Sequence, residues 1–271
     1  MTDYKQLFKK LRINKKLGQN FLINKHIAEF EANFGKNKNV IEIGSGLGIL
    51  TQELINSAKK IMSIEKDENL YKLLKNEFND KYKNLVLINK DIFEINDTEL
   101  KNFDIIISNI PYNISSKILT LLAKLKLDAV MCLQKEFVEH MTAKPGTKKY
   151  SKLSVFSYLQ FNIDILKQIN ANNFYPKPKI NSTIIYLKFK KNIDENKLKL
   201  ISLLMMHKKK KLRNAFFNSI KNLNISKEKA EQIIENCQYK DEKVFKIDPD
   251  QLMNIAEFIE NRLSSTKYNF T

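Results

Sequence analysis

From residue 39 onward the chain alternates between short apolar runs and longer amphipathic stretches. The apolar runs are rich in β-branched residues and predict strands at 40–43, 61–64, 85–88, 105–107 and 128–133. Apolar residues at helical spacing predict helices near 24–34, 48–58, 67–79 and 115–125. Because strands and helices alternate, we expect an α/β fold with a largely parallel sheet that is covered on both faces.

Two later runs, 154–163 and 182–189, predict further strands at the edge of the sheet. The sequence pattern changes after about residue 190. No glycine occurs beyond Gly146, and the apolar residues of 195–263 are spaced as in about four helices. Ser226 is a predicted helix cap, and Asp248-Pro249 predicts a cap followed by proline at the first helical position. We therefore predict three parts: a basic N-terminal arm at 1–16, an α/β domain at 17–190 and a helical domain at 191–271.

The length and the cysteine content exclude several classes of protein. A chain of 271 residues can bury a full core, and its two cysteines, Cys132 and Cys237, are far apart and form no C-x-x-C motif. Neither a zinc site nor a redox pair is therefore expected. We find no signal-peptide pattern and no apolar run of about 18 residues that would span a membrane. These features predict a cytoplasmic protein.

The positive charge is concentrated in two segments. The formal net charge is +17; residues 1–25 hold seven basic residues and one acidic residue, and residues 188–221 hold eleven basic and two acidic. The rest of the chain is close to neutral. Two concentrated basic segments suit a surface that binds the phosphates of a nucleic acid. A merely solvated basic surface and an anionic membrane remain as alternatives.

Small or polar residues follow successive predicted strands. A glycine loop, Gly44-Ser45-Gly46-Leu47-Gly48, follows the first strand, and Glu65 closes the second. Asp91 follows the third and Asn109 the fourth. In parallel sheets, ligands bind at the carboxyl ends of the strands, where a glycine loop allows close approach and a carboxylate binds ribose hydroxyls. Each residue alone could simply end a strand, but the ordered set indicates a nucleotide-like cofactor.

The segment Asn109-Ile110-Pro111-Tyr112 suits a planar amine. The Asn109 side-chain oxygen and a backbone carbonyl before or at Pro111 can accept the two amine hydrogens, and Tyr112 can stack on the attached ring. A plain loop built by asparagine and proline is the alternative.

Six motifs in order resemble the ribosomal RNA adenine N(6)-dimethyltransferase family. They are 16–22 (Lys-Leu-Gly-Gln-Asn-Phe-Leu), the glycine loop, 109–116, 153–155, 174–179 and 207–215. The resemblance extends from about residue 14 to 263 and favours the small-subunit branch, particularly its archaeal members. It implies a class I, Rossmann-like, S-adenosylmethionine-dependent methyltransferase domain, S-adenosylhomocysteine as product, and no metal. By position it places the cofactor near Gln19, Asn20, Leu22, Gly44, Gly46, Glu65, Lys66, Asp91, Ile92 and Asn109.

The resemblance also implies a substrate. It places the target base against Asn109, Pro111, Tyr112 and Phe174, although Phe174 could instead be an ordinary core aromatic. The expected reaction is dimethylation of two adjacent adenines in the 3′-terminal hairpin of small-subunit rRNA, or of a precursor small ribosomal subunit, by a monomer. The expected phosphate contacts are Lys9, Lys10, Arg12, Lys15, Lys16, Lys208, Lys209, Lys210, Lys211 and Arg213. Three alternatives stay open: a large-subunit rRNA methyltransferase of the antibiotic-resistance type, a DNA adenine methyltransferase, and an RNA-binding assembly factor whose methylation is secondary.

Overall fold

The computed structural model describes residues 18–78 and 81–263, and the predicted basic arm lies outside them. The strands are β1 (Phe21–Leu22), β2 (Asn39–Ile43), β3 (Lys60–Ile64), β4 (Leu85–Ile88), β5 (Ile105–Ser108), β6 (Asp128–Gln134), β7 (Phe161–Ile169), β8 (Phe174–Tyr175) and β9 (Ser182–Phe189). The α-helices are α1 (Lys25–Ala32), α2 (Ile49–Ser57), α3 (Glu68–Phe78), α4 (Asp97–Leu100), α5 (Ser115–Leu125), α6 (Lys135–Met141), α7 (Lys152–Gln160), α8 (Glu195–Met206), α9 (Leu212–Leu223), α10 (Lys227–Glu235) and α11 (Pro249–Leu263).

Within the described residues, seven strands form one sheet in the order β4-β3-β2-β5-β6-β9-β7. The strands from β4 to β6 pair in parallel, whereas β9 pairs with β6 in the antiparallel direction. The predicted strand at 182–189 is present as β9, but it lies between β6 and β7, so of the two late strands predicted at the edge only β7 is there. The short strands β1 and β8 form a separate antiparallel pair. The parallel strands bring the ends of β2, β3, β4 and β5 to the same edge of the sheet.

The central strands form where the sequence is apolar on both faces. Every residue of β5 is buried, as are four of the five residues of β2 and of β3, because helices cover both sides of the sheet. Gly48 begins α2 with a positive φ of 80°, and a Cβ atom there would lie 2.7 Å from the Phe78 ring and 2.8 Å from Leu74. Glycine is therefore required where the start of α2 approaches α3.

One predicted element is wrong. Residues 154–160, predicted as part of a strand, are helical, because α7 runs from Lys152 to Gln160 and β7 begins only at Phe161. The Ser154 hydroxyl accepts a hydrogen bond from the Ser151 N–H at 2.9 Å, in a capping box that starts the helix. Val155 and Leu159, four residues apart, are both buried. This i, i+4 pair is a helical signal that the alternation of the run obscured.

The chain divides into two compact units. Among described residues, 18–78, 81–135 and 163–189 form the first, and 136–162 with 190–263 form the second. The predicted boundary at 190 did not assign 136–162 to the helical part. Tyr150 in that segment is fully buried, and its hydroxyl donates to the Ile247 carbonyl at 2.9 Å. Such contacts between residues far apart in sequence leave no local pattern.

The second unit has its own apolar core, formed by α7 to α11. The predicted helix starts are confirmed, because Ser226 accepts a hydrogen bond from the Lys229 N–H and Asp248 accepts one from the Gln251 N–H. No helix in the described ranges combines the length and apolar character needed to cross a membrane.

Candidate active site

A cavity of about 180 Å³ opens at the carboxyl ends of the parallel strands in the first unit. Every residue that the sequence assigned to the cofactor or to the target base lines it: Gln19, Asn20, Leu22, Gly44, Gly46, Glu65, Lys66, Asp91, Ile92, Asn109, Pro111, Tyr112 and Phe174. The predicted grouping of strand ends is therefore present in the structure. The individual roles of these residues stay predictions.

The glycine loop and Glu65 form one wall of the cavity. Gly44 and Gly46 have φ values of +73° and +59°, which favour glycine. The Glu65 carboxyl accepts the Gly46 N–H at 2.9 Å and the Asp67 N–H at 2.8 Å, one on each oxygen. Burial raises the pKa of Glu65, although these N–H bonds oppose the shift. Each carboxyl oxygen keeps a lone pair that can accept a ligand hydroxyl.

Two polar contacts hold other side chains that line the cavity. Lys66 Nζ lies 2.8 Å from Asp91 Oδ2, and Gln19 Nε2 donates to Asp67 at 3.1 Å. The Asp91 carboxyl also accepts the Phe93 N–H at 3.1 Å. These bonds hold the side chains that follow β3 and β4 in fixed positions at the cavity rim.

Asn109 sits at the end of β5 with its two amide atoms in different environments. Its Nδ2 donates to Glu31 Oε2 at 2.9 Å. Its Oδ1 is buried and has no hydrogen-bond partner among residues 18–78 and 81–263. A buried, unpaired acceptor costs about 1–3 kcal/mol of stability, so its presence beside a cavity indicates a place for a ligand donor.

Tyr112 and Phe174 both line the cavity. The Tyr112 hydroxyl is 2.9 Å from Ser182 Oγ, and burial raises the pKa of Tyr112. Phe174 is 4% exposed and pairs in register with Leu22 of β1. Phe174 is thus both a cavity residue and part of the apolar core, so the two interpretations of this side chain are compatible.

A buried polar network supports the glycine loop from behind. Glu42 Oε2 accepts hydrogen bonds from Thr51 and Ser63, each at 2.7 Å, and Ser63 Oγ lies 2.5 Å from Ser45 Oγ. Burial raises the pKa of Glu42 to about 7, against the lowering effect of these hydroxyls. The network ties the loop residue Ser45 to β2 and β3.

In the second unit, the predicted phosphate-binding side chains have different environments. Lys208 Nζ donates to the Tyr150 carbonyl and is 3.5 Å from the Lys148 carbonyl. Lys211 lies 3.5 Å from Asp241, and Arg213 is 3.0 Å from Glu235. Lys209 and Lys210 are exposed, and in the described part of the chain their side chains have no ion pair or hydrogen bond.

The phosphate contacts of these basic residues stay predictions, and their surroundings differ. Lys208 stabilises a loop of its own unit, and Lys211 and Arg213 are partly neutralised, which leaves Lys209 and Lys210 as the best candidates for phosphate contacts. The predicted contacts Lys9, Lys10, Arg12, Lys15 and Lys16 lie outside the described residues.

Sequence reasoning missed Glu31. This residue is fully buried on α1 among Ile27, Ala28 and Ala32. An acidic residue four positions after Ile27, within the apolar stripe of an amphipathic helix, is a signal that was available in the sequence.

Burial raises the pKa of Glu31 to about 8, and the charge of Glu42 adds to the shift while the Asn109 hydrogen bond opposes it. The ordinary value of 4.5 applies to the unfolded chain. As pH rises from 4.5 toward 8, the unfolded state releases its proton first, so stability must fall over this range. Glu42 contributes in the same direction up to about pH 7.

We expect the free energy of unfolding to fall between pH 5 and pH 8, by up to about 1.4 kcal/mol per pH unit for each such carboxyl. Glu31→Gln removes the Glu31 contribution and should make the decline shallower, as measured by urea unfolding at several pH values. Glu29→Gln, on the exposed side of the same helix, is the control, because the pKa of Glu29 is lowered by His26 and Lys25 and titrates below this range. An unchanged slope in Glu31→Gln would mean that Glu31 is already ionised in the folded protein.

Comparison with known proteins identifies the family. A family model described as ribosomal RNA adenine dimethylase matches residues 10–261. A probable ribosomal RNA small subunit methyltransferase A from Thermococcus sibiricus is 36% identical over 260 residues, which cover 93% of this chain and 93% of that protein. A ribosomal RNA small subunit methyltransferase A from Clostridium botulinum is 36% identical over 237 residues, covering 83% of this chain and 86% of that protein.

A solved structure agrees with these matches. The crystal structure of a dimethyladenosine transferase from Plasmodium falciparum superposes with a TM-score of 0.74 at 25% identity, and the match covers 89% of this chain and 98% of that one. The predicted α/β methyltransferase fold is confirmed, and so is the predicted resemblance. The chain belongs to the ribosomal RNA adenine dimethylase family.

Proposed function

We propose that this chain transfers methyl groups from S-adenosylmethionine to N6 of two adjacent adenines in the 3′-terminal hairpin of small-subunit rRNA. The family match and the small-subunit names of the relatives support this substrate and favour it over large-subunit rRNA. The observation that carries the chemistry is Asn109 Oδ1, a buried acceptor with no partner in the described ranges, at the wall of a cavity. A cytoplasmic monomer remains our prediction.

The cavity residues fit an adenosyl group. Gly46 has a positive φ and leaves room for the Phe21 ring, since a Cβ atom there would lie 3.0 Å from that ring. We assign the ribose hydroxyls to Glu65, the adenine amine to Asp91, and the adenine face to the buried Ile92. When bound, S-adenosylmethionine supplies a methyl group on a positively charged sulfur, which leaves as a neutral thioether.

The protein's part is to orient the target amine. The lone pair of an adenine amine is delocalised into the ring, so the amine is a poor nucleophile until its geometry changes. Asn109 Oδ1 accepts one amine hydrogen in our proposal, and the Ile110 carbonyl accepts the other. We prefer Ile110 because the Pro111 carbonyl already accepts the Ile114 N–H at 3.2 Å. Two fixed acceptors give the amine tetrahedral character and aim its lone pair at the methyl group. The new N–C bond replaces the S–C bond, and the cationic nitrogen that results releases one N–H proton to solvent in each of the two transfers.

Aromatic side chains provide the base site. We propose that Tyr112 and Phe174 contact the faces of an adenine that has been flipped out of its stack. The contact with Ser182 fixes the Tyr112 hydroxyl, and β8 fixes Phe174, so both rings are positioned before the substrate arrives. Little ordering is then required when the base binds.

We expect wild-type protein to transfer labelled methyl groups to undermethylated small ribosomal subunits, and Asn109→Ala to lose at least about 100-fold in kcat. Binding of cofactor and RNA should survive, because neither depends mainly on this one acceptor. The measurement is incorporation of label, with affinities determined separately for S-adenosylhomocysteine and RNA.

Large subunits and double-stranded DNA serve as parallel substrates. Label only in large-subunit rRNA or in DNA would refute the assigned substrate. Full activity in Asn109→Ala would refute the role assigned to Asn109 in the chemistry.

Glu65→Ala should weaken binding of S-adenosylhomocysteine by about 10- to 100-fold, because it removes a charged acceptor of hydroxyl hydrogens. Isothermal titration calorimetry measures this change. Glu68→Ala is the matched control, since Glu68 lies three residues later on the exposed side of α3 and pairs only with Lys72 among the described residues. Equal affinity of Glu65→Ala and wild type would show that the ribose is held elsewhere.

Charge reversal at Lys209 and Lys210 should weaken RNA binding and reduce the slope of log K against log salt by about 1.5, as expected for two lost phosphate contacts. Filter binding at several salt concentrations measures both effects. Cofactor affinity should stay unchanged.

The control is charge reversal at Lys221 and Lys229, which changes the net charge equally. Lys221 is exposed near the carboxyl end of α9, whereas Lys209 and Lys210 precede the start of that helix. The same loss of RNA affinity in both double variants would mean that net charge, rather than a defined contact, drives binding.

A further inference from the structure

Glu31 contacts Asn109 from the protein interior. Its side chain is 0% exposed, and it is not among the described residues that line the cavity. Nevertheless its Oε2 accepts the Asn109 Nδ2 hydrogen bond at 2.9 Å. Glu31 is therefore in position to act on a substrate through Asn109 and not by touching the substrate itself.

The two ends of an asparagine amide are not equivalent. Nδ2 only donates hydrogen bonds and Oδ1 only accepts them. In the structure the carboxyl oxygen Oε2 of Glu31 is the acceptor of this bond, a role open to both the ionised and the protonated carboxyl group, so the contact holds the orientation in which Nδ2 faces Glu31. Oδ1 then points away from Glu31 and keeps its lone pairs, consistent with its lack of a partner from any described residue. The reverse orientation would present Nδ2 to an incoming amine, and two donors would oppose each other.

The surroundings of Glu31 indicate that it is not retained for stability. Its other oxygen, Oε1, is buried without a hydrogen-bond partner in the described ranges, and no described lysine or arginine forms an ion pair with it. The titratable groups that act on Glu31 or are acted on by it are Glu42 on β2 and Cys132 on β6, neither of which is a cation. A buried carboxyl with so little compensation destabilises a fold, and an apolar residue of similar size would pack at lower cost.

We propose that Glu31 is a positioning residue that holds the Asn109 amide with Oδ1 directed at the target amine. This inference rests on the function proposed above for Asn109. It predicts that the Glu31 side chain governs the rate of methyl transfer without contributing to the affinity for cofactor or RNA.

The test is Glu31→Leu, assayed in the full-length protein under single-turnover conditions with saturating undermethylated small subunits. We expect the single-turnover rate constant of methyl transfer, and with it kcat, to fall by about 10- to 100-fold, since misorientation of one preorganised group has effects of this order. Affinities for S-adenosylhomocysteine and RNA should stay within about twofold of wild type, and the melting temperature should be equal or higher. Glu31→Gln retains a carbonyl acceptor for Nδ2 and should recover most of the lost rate.

Controls separate positioning from damage to the fold. Glu29→Leu changes the exposed side of the same helix and should leave kcat unchanged. Glu31→Met is a second apolar variant, and its side chain has the length of the natural one. It replaces Glu31→Leu in the assay if that variant does not fold. Folding of both is checked by circular dichroism. In an Asn109→Ala background, either apolar change at Glu31 should have no further effect on kcat.

Two results overturn the inference in distinguishable ways. Wild-type kcat in the apolar Glu31 variants, together with an inactive Asn109→Ala, would refute the positioning role and leave the proposed function intact. An active Asn109→Ala would refute the role of Asn109 itself. A loss of rate in Glu31→Gln as large as in Glu31→Leu would also contradict the account, since the acceptor for Nδ2 is kept.

Discussion

The parallel arrangement of strands from β4 to β6 is the constraint on which the candidate site depends. Parallel strands end at the same edge of the sheet, so residues that follow them meet although they are far apart in sequence. Gly44, Glu65, Asp91 and Asn109 line one cavity for this reason. The helices that cover both faces hold the strand ends rigidly, and rigid elements position reacting groups better than loops do.

Within this frame, the cavity combines two kinds of polar group. On the side that we propose for the cofactor, the Glu65 carboxyl accepts the N–H groups of Gly46 and Asp67, so the groups of this wall are held in place by the protein itself. On the substrate side, Asn109 Oδ1 is unsatisfied in the part of the chain that the structure describes. A buried acceptor without a partner lowers the stability of the free protein, and in the proposed mechanism this stability is regained when the target amine donates a hydrogen bond to Oδ1. Glu31 sets the orientation of the Asn109 amide, because it accepts a hydrogen bond from Nδ2 and leaves Oδ1 without a partner from Glu31.

Much of this could be predicted from the sequence, for physical reasons. The strands from β2 to β5 lie in short β-branched runs bounded by turn residues, and their predicted limits agree with the structure to within one residue at each end. The helix α7 was missed because the run from Ser154 to Gln160 has apolar residues at spacings compatible with both states, and the capping contact of Ser151 decides between them. The burial of Glu31 was indicated by its place in the apolar stripe of α1, but its contact with Asn109 left no local signal because the two residues are 78 positions apart in sequence. The hydrogen bond from Lys208 to the Tyr150 carbonyl could not be predicted for the same reason, because the two residues are far apart in sequence.

The central claim is that Asn109 Oδ1 accepts a hydrogen bond from the target amine while Glu31 retains Nδ2. A crystal structure with S-adenosylhomocysteine and an adenine nucleotide bound together tests it most directly. The account predicts that adenine N6 lies about 3 Å from Asn109 Oδ1, that Glu31 remains in contact with Nδ2, and that the sulfur lies in line with N6. An adenine whose N6 lies beyond hydrogen-bond distance of Asn109, or an amide turned so that Oδ1 faces Glu31, would contradict it.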